Sequence, residues 1–273
     1  MNLDSIAQKV RSAARKLLVF DRDGTIVPYA DHPDDAIMDE DLKASLISLA
    51  STPGIDVAIL SARGIGDLER DFSNGHPVIL AGNYGLEMRM PDGSEFVEDR
   101  ARACRGQLSK VYEELKVLEG EAYGGILENH GLSVCLHWHR VEPDKIEAFR
   151  RHVHAVAEGA CGVALKSFPT SFEFFPDFSW DKGKGLELIY KKVATDDESC
   201  LVLFCGDTDS DEPAMDFANS MGGISIRVGY SDGDGAEHEG MRTRKIKKTL
   251  AVHRFESPVQ VGELLSQILN PCS

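Results

Sequence analysis

Apolar residues gather in short, unbroken runs that stop at polar turns. Leu17-Leu18-Val19-Phe20 ends at Asp21-Arg22-Asp23-Gly24-Thr25, and Val57-Ala58-Ile59-Leu60 ends at Ser61. Residues 78–81, 201–205 (before Gly206-Asp207) and 224–228 repeat the pattern. Such runs, without alternation, suit strands buried on both faces, as in a parallel sheet. Between them, apolar residues at three- and four-residue spacing predict helices over 41–50, 64–72, 182–193, 212–221 and 259–269. Strand, polar turn and helix in repetition predict an α/β fold with a doubly wound parallel sheet.

The middle third follows another rhythm. A long helix over 101–118 precedes strands at 124–127 and 132–138 around Asn129-His130-Gly131. A helix over 143–158 then leads to a second hairpin, 163–168 and 171–175, turning near Pro169-Thr170. This order predicts an inserted α+β cap domain over 92–178, with 1–91 and 179–273 forming the core. Residues 231–240, rich in Asp, Gly and Glu, read as a solvated loop.

Charge and cysteine usage narrow the function. With 30 Lys and Arg against 45 Asp and Glu, the net charge is −15, the wrong sign for binding nucleic acid or an anionic membrane through the global field. No apolar run approaches the roughly 20 residues of a membrane span, and residues 1–16 lack the apolar core of a secretory signal. The six cysteines form no C-x-x-C pair, which argues against a disulfide framework or structural zinc and suits a reducing, cytoplasmic setting. Cys135, Cys200 and Cys205 sit in apolar runs and read as small core residues. Without a heptad or long apolar edge, a monomer is expected.

The chemistry-bearing residues fall at the carboxyl ends of the predicted strands, where open α/β sheets place their sites. They are Asp21 and Asp23, Ser61, Lys182 at a helix start, and Asp207 with Asp211. Four carboxylates converging on one lysine repel unless a counter-charge joins them. A hard divalent cation such as Mg²⁺, together with a phosphate group, answers that need.

The D-x-D-G-T segment, the serine, the lysine and the G-D-x-x-x-D segment resemble the four motifs of the haloacid dehalogenase superfamily of phosphohydrolases. Beyond them, Ala81-Gly82-Asn83-Tyr84-Gly85-Leu86-Glu87, residues 128–134, His137-Trp138, Trp180-Asp181-Lys182-Gly183 and Asp211-Glu212 resemble trehalose-6-phosphate phosphatases over nearly the whole chain. The resemblance implies a haloacid dehalogenase-like core and a Mg²⁺-dependent phosphatase acting on a small phosphosugar, trehalose 6-phosphate. Asp21 is then the nucleophile, and Asp23 the group that protonates the leaving oxygen and later activates water. The resemblance adds that Asp21 and Asp207 give carboxylates to the metal and Asp23 its backbone carbonyl. Asp23, two residues on, is expected to face the same way as Asp21, with Arg22 pointing elsewhere as a structural residue. Gly24, Thr25, Ser61, Lys182 and the helix-start amides of Ala62 and Arg63 receive the phosphate, and Asp211 orients Lys182 or a metal-bound water. Glu128 and Glu173 resemble the family's sugar-binding glutamates; Asn83 and Glu87 are expected beside the same cleft.

Two positions depart from the family pattern. His130 stands where a lysine is common, and Phe175 where an arginine is. Both remove fixed positive charge, and His130 is expected to be mostly neutral at pH 7, a hydrogen-bonding group toward substrate. A sucrose phosphate or glycosyl-glycerate phosphate therefore stays open as substrate. A non-catalytic phosphosugar sensor is the second class of function, and a phosphoacceptor signalling domain a third. Other signals carry less. Glu69 breaks the dinucleotide pattern after Gly64-Ile65-Gly66. His137 and His139 lack a cysteine or carboxylate at metal-site spacing and read as core or groove residues. Asp209 and the basic run Arg242, Arg244, Lys245, Lys247 and Lys248 read as solvated.

Overall fold

In a computed structural model, which describes residues 2–72, 75–194, 199–229 and 248–270, the apolar runs form the centre of a large sheet. The acidic loop 231–240, the basic residues 242–247 and Cys272 lie outside the described residues. In chain order the first half of the core comprises α1 (Leu3–Ser12), β1 (Arg15–Phe20), α2 (Glu40–Ala50), β2 (Ile55–Leu60), α3 (Ile65–Leu68), β3 (Ile79–Gly82), β4 (Glu87–Arg89) and β5 (Glu95–Val97). Next come α4 (Asp99–Leu115), β6 (Ile126–Asn129), β7 (Val134–His137), α5 (Ile146–Gly159), β8 (Val163–Ser167) and β9 (Ser171–Pro176). The chain then returns through α6 (Lys182–Val193), β10 (Cys200–Gly206), α7 (Glu212–Ser220), β11 (Ile224–Val228), β12 (His253–Phe255) and α8 (Pro258–Leu269).

The large sheet has the order β12-β11-β10-β1-β2-β3-β4-β5, parallel from β12 to β3 and antiparallel beyond. Each central strand is buried on both sides. Leu18 and Phe20 pack with residues of α1, α2 and α8, while Leu17 and Val19 pack with α6 and α7. The absence of polar alternation in the sequence has this cause.

The second sheet, β6-β7-β9-β8, is antiparallel. Leu127, Val134, Leu136, Phe172 and Phe174 turn one face toward Leu108, Val111, Phe149 and Val153 of α4 and α5. Tyr84 and Leu86 from the large sheet's side meet Leu132 and Phe175 in a separate apolar seam. That seam holds the second sheet against the first.

One expectation needs correction, and three further elements, the β4–β5 hairpin, β12 and α1, were not foreseen. The helix over 64–72 is only α3, because Gly64 and Gly66 weaken it and the chain continues through i→i+3 turn bonds to Phe72. The β4–β5 hairpin and β12, too short and polar to register as apolar runs, extend the sheet at its edges. Residues 3–12 form a helix that buries Ile6, Ala7 and Val10, capped by Asn2.

Candidate active site

Strand order reverses at β1, which has β10 on one side and β2 on the other. Such a switch point opens a crevice at the strand's carboxyl end. Asp21, Ser61 and Asp207 follow β1, β2 and β10 and so meet there. Lys182 arrives from the helix side. The Asp181 carboxylate accepts the Lys184 amide at 3.0 Å and starts α6 one residue before Lys182. α6 seats closely because a Cβ on Gly185 would strike the Tyr84 carbonyl, and one on Gly85 would stand 2.6 Å from Gly185 Cα.

Lys182 Nζ lies 2.8 Å from Asp21 Oδ1 and 2.6 Å from Asp211 Oδ1, and all three side chains are buried. The other Asp211 oxygen accepts the Asp207 amide at 3.0 Å and the Thr208 amide at 2.8 Å. One Asp211 oxygen is thus engaged by Lys182 and the other by backbone amides. Carboxylate oxygens of Asp21, Asp207 and Asp211 lie within 4.8 Å of one another. Burial, then the charge of Asp211, pushes Asp207 up to about 7. Burial likewise raises Asp21, against the opposing pull of Lys182. Burial works against the ammonium of Lys182 too, but Asp21 and Asp211 outweigh it and hold its pKa above the ordinary value. One ammonium thus stands among two buried carboxylates and a half-buried third, a set of hard oxygen donors with unmet negative charge that fits a divalent cation.

The loop after β1 is shaped by the same crowding. Gly24 has φ +80, and a Cβ there would collide with Asp207 Oδ2. Tyr29 donates its hydroxyl to that oxygen at 2.6 Å. The Thr25 amide donates to the Arg22 carbonyl at 3.3 Å, and its hydroxyl points at Asp207 Oδ1 from 3.5 Å. Arg22 is structural as expected: it grips both oxygens of Asp71 at 2.7 and 3.0 Å and the Ala36 carbonyl at 2.7 Å.

Asp23 does not join the Asp21 cluster. Its carboxylate accepts Arg63 Nε at 2.6 Å and Arg63 Nη2 at 2.9 Å, and Arg22 Nη1 at 2.7 Å. Beyond Phe20 the strand gives way to a turn, so the alternation that would aim Asp23 like Asp21 ends. Ser61 Oγ accepts the Arg63 amide at 3.2 Å in a turn, since α3 begins only at Ile65. The amides of Ala62 and Arg63 therefore precede the helix start. The Arg63 amide is taken up by Ser61 and its guanidinium by Asp23.

The helix-free face of the second sheet turns toward this crevice. Glu128, Cys135, Glu173 and Lys166 form one transverse row across β6, β7, β9 and β8. Tyr84 donates its hydroxyl to Glu173 Oε2 at 2.9 Å, and Glu128 Oε2 lies 2.6 Å from His137 Nε2. Burial raises the pKa of Glu173. Burial also opposes the charge of Glu128, but the bond from His137 and the charges of His130, His137 and Arg63 bring its pKa below the ordinary value.

A sequence model of the trehalose-phosphatase family matches residues 19–248. The chain belongs to that family. It is 29% identical over 262 residues to a trehalose-phosphate phosphatase of Mycobacterium marinum, an alignment covering 95% of this chain and 63% of that protein. A Mycobacterium tuberculosis protein of the same name is 28% identical over 259 residues, with 94% and 62% covered. The chain thus spans about three fifths of these relatives. The C-terminal domain of Candida albicans trehalose-6-phosphate phosphatase superposes with a TM-score of 0.76 over 98% of this chain and 96% of that one, at 22% identity. The fold is accordingly of the haloacid dehalogenase type.

Within this family member several expected residues are placed elsewhere. Asn83 is fully buried and donates to Glu87 Oε1 at 2.7 Å and to the His130 carbonyl at 2.8 Å, while its Oδ1 accepts Ser133 Oγ at 2.8 Å. Glu87 Oε1 also accepts the Ile65 amide at 2.9 Å. Asn83 thus ties the core loop to the insert, and both side chains are buried among these partners. His130 Nδ1 lies 3.1 Å from Asp67 Oδ2, so the histidine faces the core. Burial disfavours its charge, but the Asp67 bond and the charges of Glu128, Asp67 and Glu173 outweigh it and raise its pKa. It latches the insert to Asp67 of the core, with its proton held more tightly than in a free imidazole. Phe175 lies in the apolar seam, with Lys166 Nζ 3.8 Å from its ring centre.

His137 has a partner that sequence spacing concealed, Glu128 on the neighbouring strand, besides Cys135 two residues before it on β7. Cys135 lies on this polar face and is no core residue, whereas Cys200 and Cys205 are core residues. Asp209 Oδ1 pairs with Arg227 Nη2 at 3.7 Å. Tyr29, Asp67, Asp71 and Tyr84 were not legible as functional. Each acts through a distant partner, and only Tyr84, inside a family-like segment, carried any signal.

Proposed function

We propose that the protein hydrolyses trehalose 6-phosphate to trehalose and inorganic phosphate. The observation that carries this reading is the buried Asp21–Lys182–Asp211 chain beside Asp207 at the sheet's switch point. The names of its mycobacterial relatives supply the sugar. In this reading the core, expected to end at residue 91 but extended by β5 to Val97, and residues 179–273 carry the reaction, while the insert that follows up to residue 178 recognises the leaving group.

An Asp21 carboxylate oxygen forms a bond to phosphorus as the sugar oxygen leaves with a proton, giving an aspartyl-phosphate. Water then attacks phosphorus, gives up a proton and restores the Asp21 carboxylate. Asp23 is the proton carrier in both halves, and must exchange its Arg63 contact for the leaving oxygen to do so. Lys182 offsets repulsion between the phosphoryl oxygens and Asp21. Ser61 and Thr25 supply hydroxyls to the phosphoryl group. Mg²⁺, held by the Asp21 and Asp207 carboxylates and the Asp23 carbonyl, would neutralise phosphoryl charge. Glu128 and Glu173 bind sugar hydroxyls. The acidic charge and the free thiols of Cys104, Cys135, Cys161, Cys200 and Cys205 support a cytoplasmic monomer without nucleic-acid or membrane partners. Among the described residues no helix is long and apolar enough to cross a membrane.

The test is phosphate release from a panel of trehalose, sucrose and glycosyl-glycerate phosphates, with Mg²⁺ and with chelator. Preference for trehalose 6-phosphate that vanishes with chelator supports the reading. Preference for another phosphosugar corrects the sugar, and absence of turnover on every phosphosugar contradicts the enzyme.

A further inference from the structure

The insert's polar face carries a donor set that phosphoryl chemistry does not require. A carboxylate oxygen of Glu128, the Cys135 sulfur and a ring nitrogen of His137 lie within 4.8 Å of one another, all on half-buried side chains. They sit on one rigid hairpin: Cys135 and His137 share a face of β7, and Glu128 is directly opposite Cys135 on β6.

The distances suit a tetrahedral ion. Ligands at about 2.0 Å (nitrogen) and about 2.3 Å (sulfur) from a tetrahedral centre are about 3.5 Å apart. Cys135 Sγ and His137 Nε2 are 3.5 Å apart. Glu128 Oε2, now at 2.6 Å from His137 Nε2, is at hydrogen-bond distance. It needs to retreat by roughly 0.7 Å when an ion replaces the shared proton, which a side-chain rotation supplies. The ligand types also discriminate. Thiolate, imidazole and carboxylate together favour a borderline-soft ion, whereas the Asp21–Asp207 cluster offers hard oxygen alone.

We propose that Glu128, Cys135 and His137 form a second metal site, for a borderline-soft divalent ion of the Zn²⁺ class, with three protein donors and one open position. An ion there takes Glu128 away from any sugar that enters between sheet and insert.

Cd²⁺ titration in excess Mg²⁺ tests the site through near-ultraviolet thiolate-to-metal absorption, to which the all-oxygen cluster is silent. One equivalent of Cd²⁺ should bind with that band, and Zn²⁺ should displace it. Cys135→Ser should abolish the band and His137→Gln should weaken binding by about tenfold or more, since even outer-sphere losses cost 10–100-fold. Cys161→Ser, at an exposed thiol elsewhere, should leave band and affinity unchanged. No band in the unaltered protein, or a band that survives Cys135→Ser, overturns the proposal. The readout does not involve phosphate release, so it stands or falls apart from the proposed activity.

Discussion

Replacing Asn83 with alanine isolates the contact between the core loop and the insert. The side chain bonds Glu87 at 2.7 Å, and the His130 carbonyl and Ser133 hydroxyl at 2.8 Å each. A hydrogen bond to a charged group contributes roughly 1.5–3 kcal/mol, and each neutral one about 0.5–1.5 kcal/mol. Asn83 also has φ +50, a left-handed backbone that asparagine tolerates and alanine adopts at a cost of about 1 kcal/mol. The bonds share one amide and do not add fully, so about 4 kcal/mol is the working figure. His130 and Ser133 belong to the insert, so the loss falls on its docking more than on the parallel sheet. That energy is roughly three decades in a local opening constant. Native-state hydrogen exchange reads it directly. The Ile65 amide, bonded to Glu87, and the His130 amide, bonded to the Ser133 carbonyl, should exchange two to three decades faster. Amides of β1 and β10 should change less, and Ser133→Ala should cost about a decade or less. Unchanged protection at Ile65 and His130 in Asn83→Ala would refute the reasoning.

Other consequences follow from the buried charges. Lys182→Met leaves Asp21 and Asp211 without a counter-ion, and should cost about 3–5 kcal/mol in urea unfolding at neutral pH. Asp207, raised from an ordinary carboxyl value to about 7, holds its proton longer in the folded state than in the unfolded one. Stability should therefore fall as pH rises from about 4 to 7, and Mg²⁺ should raise the thermal midpoint more at about pH 8 than at about pH 5.5. His130 has the opposite sign: its raised pKa gives stability that is full below about 6.5 and lost as pH rises through the folded value. His130→Gln should flatten that part of the pH profile measured by thermal unfolding. Glu128→Ala should cost one to two decades in kcat/KM on the sugar phosphate and spare a small aryl phosphate; equal losses would assign Glu128 to structure.

The parallel sheet was legible because strands buried on both faces cannot hide their apolar runs, and the residues at their ends mark the switch point. Asp21 and Asp207 could be read from the sequence for that reason, and Lys182 and Asp211 from the motifs they share with the resembling superfamily. What escaped notice depends on contacts that sequence spacing does not encode. Asp23 is turned away by Arg22 and Arg63, one of them 40 positions distant. Asn83 looked like a polar cleft residue but is 0% exposed, and its partners sit 4, 47 and 50 positions away. Cys135 looked apolar because its neighbours Val134 and Leu136 are core residues, yet strand alternation points it to the other face. Glu128 and His137 meet only because β6 and β7 pair in one register.

The nucleophilic role of Asp21 is the account's central claim, and trapping the intermediate tests it most directly. Asp23→Asn, mixed with substrate and Mg²⁺ and quenched in acid, should retain a phosphoryl group, because loss of the acid–base group slows hydrolysis of the aspartyl-phosphate by on the order of a hundredfold or more. With trehalose 6-phosphate the same loss slows formation, so an aryl phosphate with an activated leaving group is the substrate of choice. Peptide mapping should place the phosphoryl group on Asp21, and Asp21→Asn in the same background should carry none. A phosphoryl group on any other residue, or turnover of trehalose 6-phosphate by folded Asp21→Asn at the rate of the unaltered protein, would contradict the account.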